Sequence, residues 1–507
     1  MVNPITTPIT TNTSAPQKKT TRASIFYVND IHSNLINLEK LKSASDAFDS
    51  FTPSEKTDKL KFSAGDISVG RDKNFSKLGI AFENATNIMA SAGGNHEFDL
   101  YKEDLADVLK SNKYKLLGLN VKIPDTLKEN KEIRKEITNS YVQEINGTKY
   151  GVIGIMPFDF KFHLSDAEEY GDFEVLPIEK TIPLLQQEVD KFKKQGINKI
   201  VLLSHAGFAS DRELAQSVEG IDVIIGGHTH DLIKGVQEGK NLFYSKKTGE
   251  PTIITQAGRN GDYFGVLNLE FDENGVITTV QNNVTKTAPY QKSPVMKFFI
   301  DRTIGKPKVI GVIKSAPKHE HTLITENPSA DFVMDAERIE LGVDIVLTNS
   351  GNFRSSFEPG ELTDRDLKNL TPFDNKVWII RLTEKEIVDA LKVGAKSLID
   401  GDNMPGIIQC SGLKYTMSKS GELKNLTYLN KDGSEKQINV NNPNPSKFYT
   451  VATDDYVAKG GNDYFTNKEK VVIVKYKFDK NKLVEDYLKK LNAPVDIKYD
   501  QRIKIVD

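Results

Sequence analysis

Cys410 is the only cysteine in the 507-residue chain, so no intrachain disulfide can form. Its setting, GIIQCSGLKY, reads as a buried strand residue, because a reactive thiol needs an exposed and basic neighbourhood. Charge of one sign is equally scarce: 68 Lys and Arg stand against 70 Asp and Glu. So close a balance offers no field to hold a polyanion by counterion release, and nucleic acid is not favoured as a partner. No segment approaches the roughly 20 apolar residues of a membrane helix. The opening MVNPITTPITTNTSAPQKKTTRAS lacks the apolar centre of a secretory signal. Residues 1–22 therefore read as a disordered tail, and the chain as soluble and cytoplasmic with no membrane partner.

What is present is organised as two unlike halves. The length exceeds the roughly 250 to 300 residues at which one core stops growing. From Ala23 to Pro289, short apolar runs such as SIFYVND, KLKFSAGD, YGVIGIMPF, KIVLLSHAG and VIIGGHTH alternate with charged stretches of helical period. That alternation predicts an α/β layered domain over 23–289, closed by a hairpin turning at Glu273-Asn274-Gly275. Residues 290–313 read as a linker. A second domain over 314–507 opens with the helix pattern SADFVMDAERIELG and continues with VDIVLTNSGNFR, KVWIIRLT and EKEIVDALKVGAKSLI.

Histidine is sparse and unevenly placed. Five of the eight, His32, His96, His205, His228 and His230, sit in short polar stretches that close predicted strands. NDIH adds Asp30, SAGD adds Asp66, and GNHEFD adds Asn95 and Asp99. In an open α/β sheet, ligands bind beyond the carboxyl ends of the strands, so pieces far apart in sequence can converge there. Taken singly, HTH reads as a polar turn and an Asp after Gly as a turn or a helix cap. Together, carboxylates, imidazoles and one amide oxygen form a donor set suited to borderline divalent ions. One bridging carboxylate with about three further ligands per ion describes a two-metal hydrolytic site, which acts by in-line displacement at phosphorus.

These five motifs, in this order over residues 25–232, resemble the calcineurin-like metallophosphoesterases and specifically the 5'-nucleotidase family. The resemblance implies a four-layer α/β/β/α sandwich followed by an α+β substrate-binding domain. It implies that Asp30, His32 and His230 hold one metal, that Asp66 bridges, and that Asn95, His205 and His228 hold the second. The ions are Zn, Mn, Fe or Co, since mixed N and O donors accept all four. It further implies that His96, oriented by Asp99, assists the leaving group while a metal-bound hydroxide attacks. The alternative for Asp99 is a cap on the helix beginning near Leu100.

The second half carries three more pieces. TNSGNFRSSF resembles the family's NGGxxR, which implies substrate contacts from Asn349, Gly351 and Arg354; on its own it reads as a turn with a solvent-facing arginine. LTPFDNKV places Phe373, and ATDDYVAKGGNDYF places Tyr456, where the family keeps two aromatic residues that can sandwich a base. Two departures stand out: Thr325 where an arginine is usual, and Asn462 where an aspartate often bonds the ribose hydroxyls. The expected activity is phosphate release from a small-molecule nucleotide or other phosphate ester. A 2',3'-cyclic-nucleotide phosphodiesterase, a UDP-sugar hydrolase and a thiosulfohydrolase stay open as alternatives. A non-catalytic binding protein ranks below these, because every ligand position is filled. Family members are commonly exported, so a periplasmic or extracellular place is the alternative to the cytoplasm.

Overall fold

The structure is a computed structural model that describes residues 7–8, 20–164, 168–317, 319, 323–373, 375–399, 406–465 and 471–507. The chain divides into two compact units, Met1–Lys306 and Pro307–Asp507. Most of the tail expectation falls outside the described residues. Thr7–Pro8 pair antiparallel with Thr279 and Val280, and Thr21 and Arg22 already belong to the strand Thr21–Val28. The stretch read as a linker contains the helix Pro294–Ile304, whose Met296 and Ile300 are buried in the first unit's core.

Among the described residues the first unit is built on two large sheets. One runs parallel through Thr21–Val28, Asp58–Ser63, Ala90–Ala92 and Lys115–Leu117, with the hairpin strands Tyr263–Phe271 and Ile277–Lys286 added antiparallel. The other runs parallel through Thr148–Ile155, Ile200–Ser204, Val223–Gly226 and Pro251–Thr255. Their inner faces share one core, in which Tyr27, Leu60, Phe62 and Leu267 meet Tyr150, Val201, Leu203 and Ile225. These parallel strands are apolar on both faces because both faces are covered. The helices Leu35–Ser50 and Lys73–Ala85 lie on the outer face of the first sheet, and Ile178–Lys194 and Phe208–Ser217 on that of the second. The result is an α/β/β/α sandwich, with the parallel strands of each sheet ending at a common edge.

The second unit is α+β. A sheet of Ile408–Ser411, Ile345–Asn349, Phe448–Asp454, Lys376–Thr383 and Val471–Asp479 packs on the helices Pro328–Leu341 and Lys480–Leu491 on one side and Glu384–Gly394 on the other. Cys410 lies inside the strand Ile408–Ser411, fully buried, and burial pushes its thiol pKa up. No helix among the described residues is long and apolar enough to cross a membrane.

Candidate active site

Each motif of the first unit follows a parallel strand directly. Asp30 and His32 come after Thr21–Val28, Asp66 after Asp58–Ser63, Asn95 and His96 after Ala90–Ala92, His205 after Ile200–Ser204, and His228 and His230 after Val223–Gly226. The chain turns sharply at these exits. Asp30, His32, Asp66, His228 and His230 all hold positive φ, between 49° and 78°. A non-glycine residue enters that region at a cost, and such strain is characteristic of functional sites.

The exits bring the side chains together. His32 Nε2 lies 3.8 Å from Asp30 Oδ1 and 3.6 Å from Asp66 Oδ2, and His230 Nε2 lies 3.5 Å from Asp30 Oδ1. His205 Nε2 lies 3.8 Å from Asp30 Oδ1 and 3.0 Å from Asp66 Oδ2. Asn95 Oδ1 and His228 Nδ1 are 3.1 Å apart. Asp30 is shared further, accepting from the His228 backbone N–H at 3.1 Å and from Asn29 Nδ2 at 2.6 Å.

The donor set fits a divalent cation. His205 is fully buried with Nδ1 on the Ala64 carbonyl at 2.5 Å, which turns its Nε2 to the two carboxylates. Burial disfavours a charged His205 ring, but Asp66 and Asp30 outweigh it and lift the imidazole pKa to about 10. Burial likewise lifts Asp30, and His205, His230 and His32 overcome it, holding the carboxyl at about 2. Asp66 is held well below the carboxylate range, chiefly by His205 and His96 against burial. Carboxylates that favour a proton on a neighbouring imidazole favour a metal cation in its place. The sets Asp30–His32–His230 and Asp30–Asp66–His205 each have ligand atoms within 4.8 Å of one another.

His96 and Asp99 lie beside this cluster in a short 3-10 turn. His96 Nδ1 and Asp99 Oδ2 are 2.7 Å apart, and the same carboxylate oxygen accepts the Gly70 N–H at 2.7 Å. Asp99 does not cap the following helix, Lys102–Leu109, whose first cap is Tyr101 without a side-chain bond. The His96 N–H donates to Asp66 Oδ1 at 2.8 Å, joining the turn to the carboxylate cluster.

Two contributors carry no role in the motif reading. Glu97 accepts the N–H groups of Asp66 at 3.0 Å, Ile67 at 2.9 Å and Gly94 at 2.8 Å, which clamps two of the strand exits to each other. Burial first and the neighbouring Asp66 second lift its pKa to about 7. Asp159 touches His228 Nε2 at 3.0 Å. Glu97 could have been noticed, because it stands inside GNHEFD; nothing in MPFDFKF distinguishes Asp159.

In the second unit, Asn349 Nδ2 approaches Asn462 Oδ1 at 3.5 Å, and Asn462 itself holds φ 56°. The Arg354 guanidinium lies 5.4 Å from the centre of the Phe373 ring, so this arginine does not simply face solvent. Gly351 is buried in the turn Ser350–Asn352. The Tyr456 ring covers Gly461 so closely that a Cβ at that position would overlap it. The exposed Thr325 offers its carbonyl to Gln409 Nε2 at 2.8 Å.

Residues 23–232 match the calcineurin-like phosphoesterase family, and residues 309–468 match the 5'-nucleotidase C-terminal domain. Over 95% of its length the chain is 28% identical to the trifunctional nucleotide phosphoesterase protein YfkN of Bacillus subtilis, and it spans 35% of that relative. It is 25% identical to a probable 5'-nucleotidase of Treponema pallidum, covering 87% of each chain. Among solved structures, a 5'-nucleotidase precursor from Thermus thermophilus superposes with a TM-score of 0.78 at 22% identity, over 96% of this chain and 99% of that one. A sulfate thiohydrolase, SoxB, from the same genus superposes at 0.73 with 15% identity, over 98% of each. At these identities the superpositions establish the fold.

Proposed function

We propose, from the match of residues 23–232 to the calcineurin-like phosphoesterases and of 309–468 to the 5'-nucleotidase C-terminal domain, that the chain is a metal-dependent phosphohydrolase of the 5'-nucleotidase type that releases phosphate from nucleotides. One observation carries the reading: the strand exits bring two buried carboxylates, Asp30 and Asp66, within ligand reach of His32, His205 and His230, with the Asn95–His228 pair beside His205. In this reading Asp30, His32 and His230 would hold one divalent ion, Asn95, His205 and His228 would hold another, and Asp66 would serve both. When bound, the ions neutralise the phosphoryl oxygens and supply an activated water. Zn, Mn, Fe and Co all suit this donor set.

The chain's own groups do the rest. His96 is held at Nδ1 by Asp99, which fixes the ring and leaves Nε2 to carry a proton to the leaving oxygen. Glu97 keeps the backbone of Asp66 in register with that of Gly94, so the carboxylate cluster is assembled before substrate arrives. Arg354 and Asn349 take the polar part of the nucleotide, Phe373 and Tyr456 its base, and Gly351 gives the backbone room to approach. Asn462 replaces a charged acceptor by a neutral amide, which weakens the demand for a free ribose diol and favours a broad range of nucleotide esters.

The test is turnover after chelation and with Mn, Zn or Co restored, read as phosphate from AMP and a generic phosphate monoester, UMP from UDP-glucose, nucleoside monophosphate from 2',3'-cyclic nucleotides and sulfate from thiosulfate esters. Activity on nucleotides that disappears on chelation, returns with metal, and falls by about 10²- to 10⁴-fold in His96→Ala is the expected result. Turnover indifferent to a chelator shown to strip the metal overturns the mechanism.

A further inference from the structure

The His228 ring is held from both sides. Its Nδ1 faces Asn95 Oδ1 at 3.1 Å, while its Nε2 lies 3.0 Å from one oxygen of Asp159 and 3.2 Å from the other. A neutral imidazole has one N–H, so a carboxylate at Nε2 draws the proton there and leaves the Nδ1 lone pair to face the other way. The same division of labour recurs among the neighbouring histidines. His205 gives Nδ1 to the Ala64 carbonyl and turns Nε2 to the carboxylates, and His96 gives Nδ1 to Asp99.

Asp159 also hangs from a rigid anchor. It directly precedes the short helix Phe160–His163, and Phe160 is buried edge-on against Phe98, with ring centroids 5.1 Å apart. Phe98 is part of the turn that carries His96 and Asp99. Just upstream, Met156 exchanges two hydrogen bonds with Asn120, at 2.8 and 2.9 Å. Although half-exposed, the Asp159 carboxylate is therefore placed by the same packing that places the His96–Asp99 pair.

We infer that Asp159 is a positioning residue for the ion held by Asn95, His205 and His228: it takes the His228 Nε2–H and presents Nδ1 as the ligand atom. The inference rests on the two-ion reading above. Carboxylates behind a metal-bound histidine typically change metal affinity by about 10- to 100-fold. An ordinary exposed ion pair changes nothing measurable.

Stepwise Mn²⁺ affinities of the 507-residue chain, read by competition with a chromophoric chelator, decide between these. Wild type, Asp159→Ala, Asp159→Asn and His228→Ala are compared, each with the melting temperature of its metal-free form. Asp159→Ala is expected to weaken one of the two ions by about 10- to 100-fold and leave the other at its wild-type value. Asp159→Asn is expected to fall between, because its amide oxygen still accepts, and both metal-free forms should melt with wild type. Wild-type affinity for both ions in Asp159→Ala, with one ion lost in His228→Ala, overturns the inference and leaves the two-ion reading standing. Wild-type affinities in His228→Ala as well overturn that reading itself. Equal weakening of both ions together with a lowered metal-free melting temperature makes Asp159 a structural residue and likewise rejects the inference.

Discussion

At the scale of single residues, the candidate centre depends on glycines as much as on ligands. Gly94 faces the Asp66 carboxylate so closely that a Cβ there would overlap it, and Gly65, at φ 89°, backs onto the Gly94 N–H at 2.8 Å from its own virtual Cβ. Two strand exits can thus lie against each other only because neither carries a side chain at the crossing. Behind them sits Glu83, 2% exposed, with Oε1 making no hydrogen bond among the described residues. Burial, and then the charge of Glu97, lift its pKa from 4.5 to about 7, against a bond from Tyr114. The folded protein therefore keeps this proton through a window in which the unfolded chain has lost it. Stability contributed by the neutral form is complete below about pH 4.5 and is lost as pH rises through about 7. Glu83→Gln should match wild type below about pH 4.5 and exceed it above pH 7 by about 3 kcal/mol in urea unfolding. An unchanged pH slope in the variant would show that Glu83 is not the group responsible.

At the scale of elements, the second unit ties the turns of Asn349 and Tyr456 to one helix. Lys480, buried at the start of Lys480–Leu491, pairs with Asp454 at 2.7 Å. The other Asp454 oxygen accepts from Thr348 and Asn352, each at 2.6 Å. Asp454 leads into the turn of Tyr456, and Thr348 and Asn352 bracket Asn349, so one buried cation steadies both. Lys480→Met strands that carboxylate in the core and should cost about 3 to 5 kcal/mol by chemical denaturation. A cost under about 1 kcal/mol would mean that the pair adds nothing. None of this was visible in FDKNKLVEDYLKK, where Lys480 reads as one more surface lysine.

What could be read in the sequence was whatever is encoded locally. Apolar runs closed by Gly or Asp marked the parallel strands, and HxH, GNHEFD and NDIH marked their exits, because strand and ligand adjoin in the chain. The partners that hold those ligands come from elsewhere in the fold. Asp159 reaches His228 across 69 positions, and Lys480 reaches Asp454 across the sheet. Asp99 is an instructive middle case. Its spacing from His96 allowed either a cap or an orienting carboxylate, and only the fold shows that it contacts His96 Nδ1 and the Gly70 N–H while Tyr101 stands at the cap.

At the scale of the whole molecule, every candidate metal ligand belongs to residues 30–230, and therefore to the first of the two units. An ion that binds only the folded form stabilises it by about 2.7 kcal/mol at a hundredfold excess over its Kd. Calorimetry of the intact chain should show a transition that rises with added Mn²⁺ and falls on chelation, and a second transition, from Pro307–Asp507, that does not move. A metal-independent scan would argue against tight binding by the first unit.

The buried thiol has a practical consequence of its own. Since Cys410 is the only cysteine, fully enclosed and with its pKa raised by burial, the native protein offers maleimide reagents no ready target. A cysteine introduced at any exposed position of either unit should then take a spin label or fluorophore with little background. Pairs of such labels would report the distance between the two units in solution, with and without substrate, with the native Cys410 left in place.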